Sequence, residues 1–214
     1  HTATLWKLLQ RYEVPVFIFV NKMDLTGADK LHVLNSIRSR LSNDIADFSD
    51  AEELAENAAA GDEELMEEFL ETDTLSDESI SRAISQRRIF PCFFGSALKE
   101  QGIAEFLDAL DKYTVAGEYS DEFGAKVYKI SYDSKGSRLT HMKIMGGSLK
   151  VRSVIGEEKI NQIRIYSGTK FQAVDEVFSG AVCAVTGLAH SYSGQGLGAE
   201  SNADTPLLEP VLTY

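Results

Sequence analysis

An unbroken apolar run, Val14-Pro-Val-Phe-Ile-Phe-Val20, stops abruptly on Asn21-Lys22-Met23-Asp24. A run with polar chain on both sides and no polar position within it has no face to give to water, which is how a central strand of a parallel sheet covered on both faces reads. The four residues after it fit Asn-Lys-x-Asp, and each type has a physical job at the carboxyl edge of an open α/β sheet. Guanine presents N1–H and its exocyclic amine side by side, so a carboxylate such as Asp24 can accept from both. Adenine offers no matching donors, and a desolvated carboxylate left unpaired against it costs on the order of several kcal/mol. Lys22 can lay its aliphatic stem over the base plane while its ammonium stays wet. The Asn21 amide can tie the loop together and reach the base edge.

A second short apolar strand is predicted at Ile89-Phe-Pro-Cys-Phe-Phe94, followed at once by Gly95-Ser96-Ala97-Leu98. A turn of small residues lets backbone N–H groups, notably that of Ala97, point at the guanine O6 from the opposite side. Ser-Ala-Leu alone carries little; its place after the next sheet strand gives it weight.

With these two motifs the chain resembles the translational GTPases. Asn21-Lys22-Met23-Asp24 is similar to their fourth guanine-nucleotide motif and Ser96-Ala97-Leu98 to their fifth. Within that family the chain resembles the elongation factor G group, and most of all the ribosomal-protection tetracycline-resistance proteins. The resemblance implies GTP or GDP as ligand, held at the base by Asn21, Lys22, Asp24, Ser96, Ala97 and Leu98. It also implies GTP hydrolysis in a full-length protein. The sequence holds no Gly-x-x-x-x-Gly-Lys-Ser/Thr, so phosphates and Mg²⁺ are expected to be bound by parts outside this chain, and the chain alone to be inactive, with no catalytic residue of its own.

The expected fold is a partial P-loop-type GTPase domain of parallel sheet and helices over residues 1–117, followed by an all-β, translation-factor-like barrel over 118–214. The chain opens on His1-Thr-Ala-Thr, without methionine and inside a helical pattern with Leu5, Leu8, Leu9 and Tyr12 on one face, so an excised piece with neighbours on both sides is expected. A helix is predicted over 28–41, with Leu31, Leu34, Ile37 and Leu41 apolar. From Asp44 to Glu78 there are 15 acidic residues and no basic one. This reads as a solvated face of a small helical insert, about residues 42–88, with a docking surface for a basic partner as the alternative. Ser76-Asp-Glu marks the start of a helix to about Arg87, and a further helix with Ile103, Phe106, Leu107, Leu110 and Tyr113 closes the domain.

After the polar, glycine-flanked stretch Gly117–Gly124, the apolar period changes from 3.6 to 2. Strands are predicted over 126–132, 139–145, 149–155, 159–166 and 181–188, with a closing strand near Leu208–Tyr214; short strands and Gly-rich turns at this density suggest a small closed barrel. Gly147-Ser-Leu-Lys150, Lys159–Tyr166 and Leu208-Glu-Pro-Val-Leu resemble the second domain of the elongation factor G group, which in that family lies against small-subunit ribosomal RNA. Two departures favour the ribosomal-protection type over elongation factor G: Val151-Arg152-Ser153 stands where that factor usually has Gly-Asp, and the segment between the guanine motifs is shorter. Housekeeping elongation factor G and release-factor-type GTPases are the alternatives within the family.

Charge is unevenly spread. Residues 1–117 hold 11 basic and 22 acidic side chains, residues 118–214 hold 10 and 11, for a net charge of −12 overall. All ten basic residues of the second part lie between Lys126 and Lys170, against three acids. Lys143, Lys150, Arg152, Arg164 and Lys170, with Tyr132 and Tyr166 among them, are the candidates for RNA contact. A reading from another class follows: a non-catalytic RNA or protein docking module in which the first part is only scaffold.

Cys92 and Cys183 sit in apolar strands without Cys-x-x-Cys spacing and read as packed thiols. No signal sequence or membrane-length apolar run is present, so a cytoplasmic, monomeric protein with no membrane partner is expected. Asp24–Gly27 and Asp121–Gly124 spell Asp-x-x-Gly but follow the base-reading motif, against the family's order, and are set aside as chance. Gly194-Gln-Gly-Leu-Gly198 lacks a following helix and reads as a flexible connection. His1, His32, His141 and His190 have no ligand-spaced partners, so no metal site is expected.

Overall fold

The computed structural model describes residues 1–115 and 117–203. It divides into two compact units, His1–Ala116 and Gly117–Tyr214. Among the described residues, no helix is long and apolar enough to cross a membrane.

The first unit runs α1 (Thr2–Arg11), β1 (Ile18–Val20), α2 (Lys30–Arg40), β2 (Ile45–Asp47), α3 (Leu54–Ala59), α4 (Glu63–Thr72), α5 (Asp77–Ser85), β3 (Phe90–Phe94), a 3-10 turn (Ala97–Lys99) and α6 (Ile103–Tyr113). The three strands are parallel in the order β1-β3-β2, with Ile18 opposite Cys92 and Ile45 opposite Phe90. Alternation along β3 feeds two cores. Phe90 and Cys92 pack with Trp6, Leu34 and Ile45 on one face. Phe93 packs on the other with Phe48, Ile80, Ile84, Ala109 and Tyr113. Burial drives the Cys92 thiol up to about 12 and the Cys183 thiol to about 11, so both are free, inert packing groups.

Three expectations are corrected here. The covered central strand is β3, whereas the Val14–Val20 run pairs only over Ile18–Val20 and lies at an edge of the described sheet. Its first half is diverted: Glu13 is in the left-handed region (φ 52°) and the Val14 carbonyl accepts from the Arg87 guanidinium. The small helical insert expected over about residues 42–88 also contains β2, and its helices begin only at Leu54. On α1 the buried residue is Trp6, set edge-on to Phe90 at 4.7 Å, while Leu5 and Tyr12 are exposed.

Acidic helix starts explain part of the acidic composition. Asp62 accepts from Leu65 N (3.1 Å) and Ser76 Oγ from Ser79 N (3.2 Å), and Glu63, Glu64, Asp77 and Glu78 sit at the positive ends of α4 and α5. Arg88 ties the start of α4 to the root of β3 through Asp62 (2.7 Å) and Glu64 (2.8 Å).

The second unit contains β4 (Gly124–Tyr132), β5 (Arg138–Gly146), β6 (Ser148–Lys150), β7 (Val154–Ile155), β8 (Glu158–Lys159), β9 (Gln162–Ser167), β10 (Lys170–Val174), β11 (Glu176–Phe178), β12 (Val182–Thr186) and β13 (Gly196–Gly198). Six form an antiparallel sheet in the order β10-β9-β12-β5-β4-β13, and β11-β6 and β7-β8 make two further pairs. Inward positions of these strands, among them Val127, Met142, Ile144, Leu149, Ile163 and Val185, form one buried core. The single strand expected over 149–155 is two, separated by a turn with Arg152 in the left-handed region (φ 73°). Gly196–Gly198, expected to be a loose connection, is a strand paired with β4. The predicted closing strand at Leu208–Tyr214 lies outside the described residues.

Candidate functional site

Parallel strands β1 and β3 end side by side, so the turns that follow them meet at the same sheet edge. Gly95 N donates to Val20 O (3.0 Å) and Met23 N to Gly95 O (3.0 Å), extending the pairing into both turns. The Asn21 side chain then joins them: its Oδ1 accepts from Lys22 N at 2.7 Å and from Ala97 N at 2.9 Å, across 76 positions of sequence. Lys22 adopts φ 68°, which turns the chain sharply out of the strand and leaves its side chain exposed.

The second turn is closed by a two-way backbone bridge between Ser96 and Gln101, each N–H to the other's carbonyl at 3.0 Å. Only glycine fits at its start. A Cβ on Gly95 would lie 2.1 Å from Gln101 O and 2.9 Å from Phe19 Cζ. Ser96 is buried beneath the turn, while Ala97 and Leu98 are exposed, Leu98 at 90%.

The Asp24 side chain is 14% exposed, with Lys99 Nζ 3.4 Å from its carboxylate. The Ser96 hydroxyl, and after it the chain's own amide and Lys99, hold the Asp24 carboxyl below the usual carboxylate range against the opposing effect of burial. A carboxylate that is anionic at neutral pH, on the same turn as the exposed Lys22, is an acceptor suited to a ring carrying adjacent N–H groups. The sequence singles out Ser96 but not Lys99, whose role is visible only once the turn is folded.

Of the six residues expected at the base, Asn21, Lys22, Asp24, Ser96 and Ala97 are therefore gathered into one paired-turn structure. Leu98 is at its outer rim. One detail differs from expectation: the Ala97 N–H is engaged by Asn21, so a base oxygen approaching it must share that donor. Among the described residues no group of His, Cys, Asp or Glu is arranged to hold a metal ion.

The five candidate RNA-contact residues are not gathered in this way. Arg164 is 9% exposed and spent on Asp133 (3.1 Å) and Gln162 (2.6 Å), with its guanidinium over the Phe171 ring. Lys150 lies 3.5 Å from Glu176. Lys143 is exposed on β5, Arg152 in the turn after β6, and Lys170 at the start of β10.

Comparison with known proteins gives two findings. Residues 1–116 match the family described as the elongation factor Tu GTP binding domain. The fold is similar to that of a solved structure from Thermus thermophilus, with a TM-score of 0.72 and 18% sequence identity over 93% of this chain. The match spans 38% of the length of that protein.

Proposed function

The chain belongs, through residues 1–116, to the elongation factor Tu GTP binding domain family, and from that premise we propose that it is the base-reading part of a ribosome-associated translational GTPase. The full-length protein is a GTP hydrolase of the elongation factor G group, of the ribosomal-protection tetracycline-resistance type. Guanine of GTP or GDP sits between the two turns. Asp24 accepts from N1–H and the exocyclic amine, Lys22 covers one face, and Asn21 with the Ser96-Ala97-Leu98 turn bounds the other edge. Phosphate and Mg²⁺ chemistry lies with residues this chain does not carry, and the second unit docks on small-subunit ribosomal RNA.

The observation that carries this reading is the hydrogen bond from Ala97 N to Asn21 Oδ1 (2.9 Å), which builds one seat from two motifs far apart in sequence. The ribosomal-protection type is supported by Val151-Arg152-Ser153 and by the short helical segment between the motifs. Asp24→Asn in the full-length protein tests it. Xanthine has a carbonyl where guanine has the exocyclic amine, so the amide should prefer it, and nucleotide preference should move from GTP toward xanthosine triphosphate. An unchanged preference, measured by competition binding, would remove Asp24 from the base site.

A further inference from the structure

Strand alternation in the second unit produces two unlike faces. Ile130, Thr140, Val185, Ile163 and Val174 stand opposite one another across β4, β5, β12, β9 and β10 on the core side. The neighbouring row, on the outer side, reads Lys129, His141, Ala184, Arg164 through the same registers, with Tyr166 opposite Phe171 two positions on. Four rings line this outer face in sequence. Tyr128 and His141 are 6.1 Å apart, His141 and Tyr166 6.0 Å, Tyr166 and Phe171 5.5 Å, all tilted. Tyr128, Tyr166 and Phe171 are 50%, 37% and 46% exposed, so the row is not part of any core.

We propose that this outer face binds single-stranded RNA by stacking unpaired bases on the Tyr128–His141–Tyr166–Phe171 row. Ring faces accept any base, and their worth in such surfaces comes from rigidity and from nearby positive charge. Both are present. Ser131 Oγ and His141 Nε2 share a 2.7 Å hydrogen bond that fixes the imidazole. Asp133 and Gln162 hold the Arg164 plane 4.4 Å from the Phe171 centroid, so the end of the row is set before anything binds. Beside it lies a cavity of about 490 Å³ bounded by His141, Arg164, Tyr166 and Phe171, with Ser131 and Lys135 at its rim. That size falls in the range of roughly 300–1,000 Å³ typical of small-molecule sites, enough for one splayed nucleotide.

Charge selects the partner. Lys129 and Lys143 lie on the outer face and Lys135 at the cavity rim. Among the described residues none of the three has a carboxylate at ion-pairing distance, and the cavity's one carboxylate, Asp133, is taken by Arg164. An exposed aromatic row flanked by uncompensated lysines suits a polyanion with flat bases better than a protein surface. The stacking surface is independent of how the first unit uses nucleotide; only the choice of RNA over DNA rests on the translational reading.

The test uses the 214-residue chain and a fluorescent 12-nucleotide oligouridylate, whose bases stack little on one another, with a 12-base-pair RNA duplex and the DNA oligomer of the same sequence as comparators. The single-stranded RNA should bind at least tenfold more tightly than the duplex. Tyr166→Ala and Phe171→Ala should each weaken it fivefold or more, while Tyr166→Phe keeps near-native affinity. Lys129→Gln with Lys143→Gln should flatten the salt dependence and leave the ring effect intact. Stacking should also quench 2-aminopurine placed within the oligomer, a readout on the unaltered protein should the alanine variants misfold. Equal affinity for duplex and single strand, unchanged affinity in natively folded alanine variants, or no quenching overturns the proposal. Ring-dependent binding of the DNA oligomer as tight as that of RNA overturns the choice of RNA alone.

Discussion

Asn21 offers one oxygen to two backbone amides, and that economy makes the position sensitive. Asn21→Ala removes the acceptor from both Lys22 N and Ala97 N. Because both residues are exposed, water takes over part of the loss and the expected cost is about 1 kcal/mol in denaturant unfolding. Hydrogen exchange at Ala97 should quicken far more than exchange at Met142 in the other unit; equal change at both would mean a global effect and no local clasp. Asp24 gives a pH signature. Its folded pKa is depressed, so its contribution to stability is present above the ordinary value of 3.8 and is lost as pH falls through the lower folded value. A carboxyl carbon titration by NMR should place the midpoint below 3.8, and Ser96→Ala, which removes the first cause of the depression, should raise it.

At the scale of elements, the turn after β3 depends on close approach. Gly95→Ala puts a methyl against Gln101 O and Phe19, and since backbone must move, a loss of about 3 kcal/mol is expected together with loss of the nucleotide binding proposed for this turn. Arg88→Met should release the start of α4. Asp62, 7% exposed, loses its charge partner there, at about 1–3 kcal/mol by thermal unfolding, with protection lost in α4 before β3. These elements were unevenly readable. The two turns and the Ser76 cap were legible because their signals are local: residue types at fixed offsets after an apolar strand or before a helix. Ile45–Asp47 was not, since a three-residue strand inside an acidic stretch has no period to detect. Nor was the edge position of β1, because which strand lies in the middle is decided by pairing. In the second unit, the aromatic row joins residues from four separate strands, which only register brings together.

The whole molecule separates its charges: the excess of acids is in the first unit, and the basic residues between Lys126 and Lys170 are in the second. The ribosomal RNA binding proposed for the second unit should therefore weaken steeply with salt. Lys150→Glu with Arg152→Glu should lower the affinity and the slope of that dependence, in a titration at several salt concentrations, and an unaltered slope would place the RNA elsewhere. The first unit is organised differently, around a single strand. β3 has one hydrophobic cluster on each flank and runs straight into the turn that carries Ser96 and Ala97. That strand acts as a keel: a shift at its tip displaces the anchor of both helical layers at once. A change in the strand itself must then disturb the proposed seat and the packing of both layers together, whereas changes in the turns or in the outer helices act on one alone.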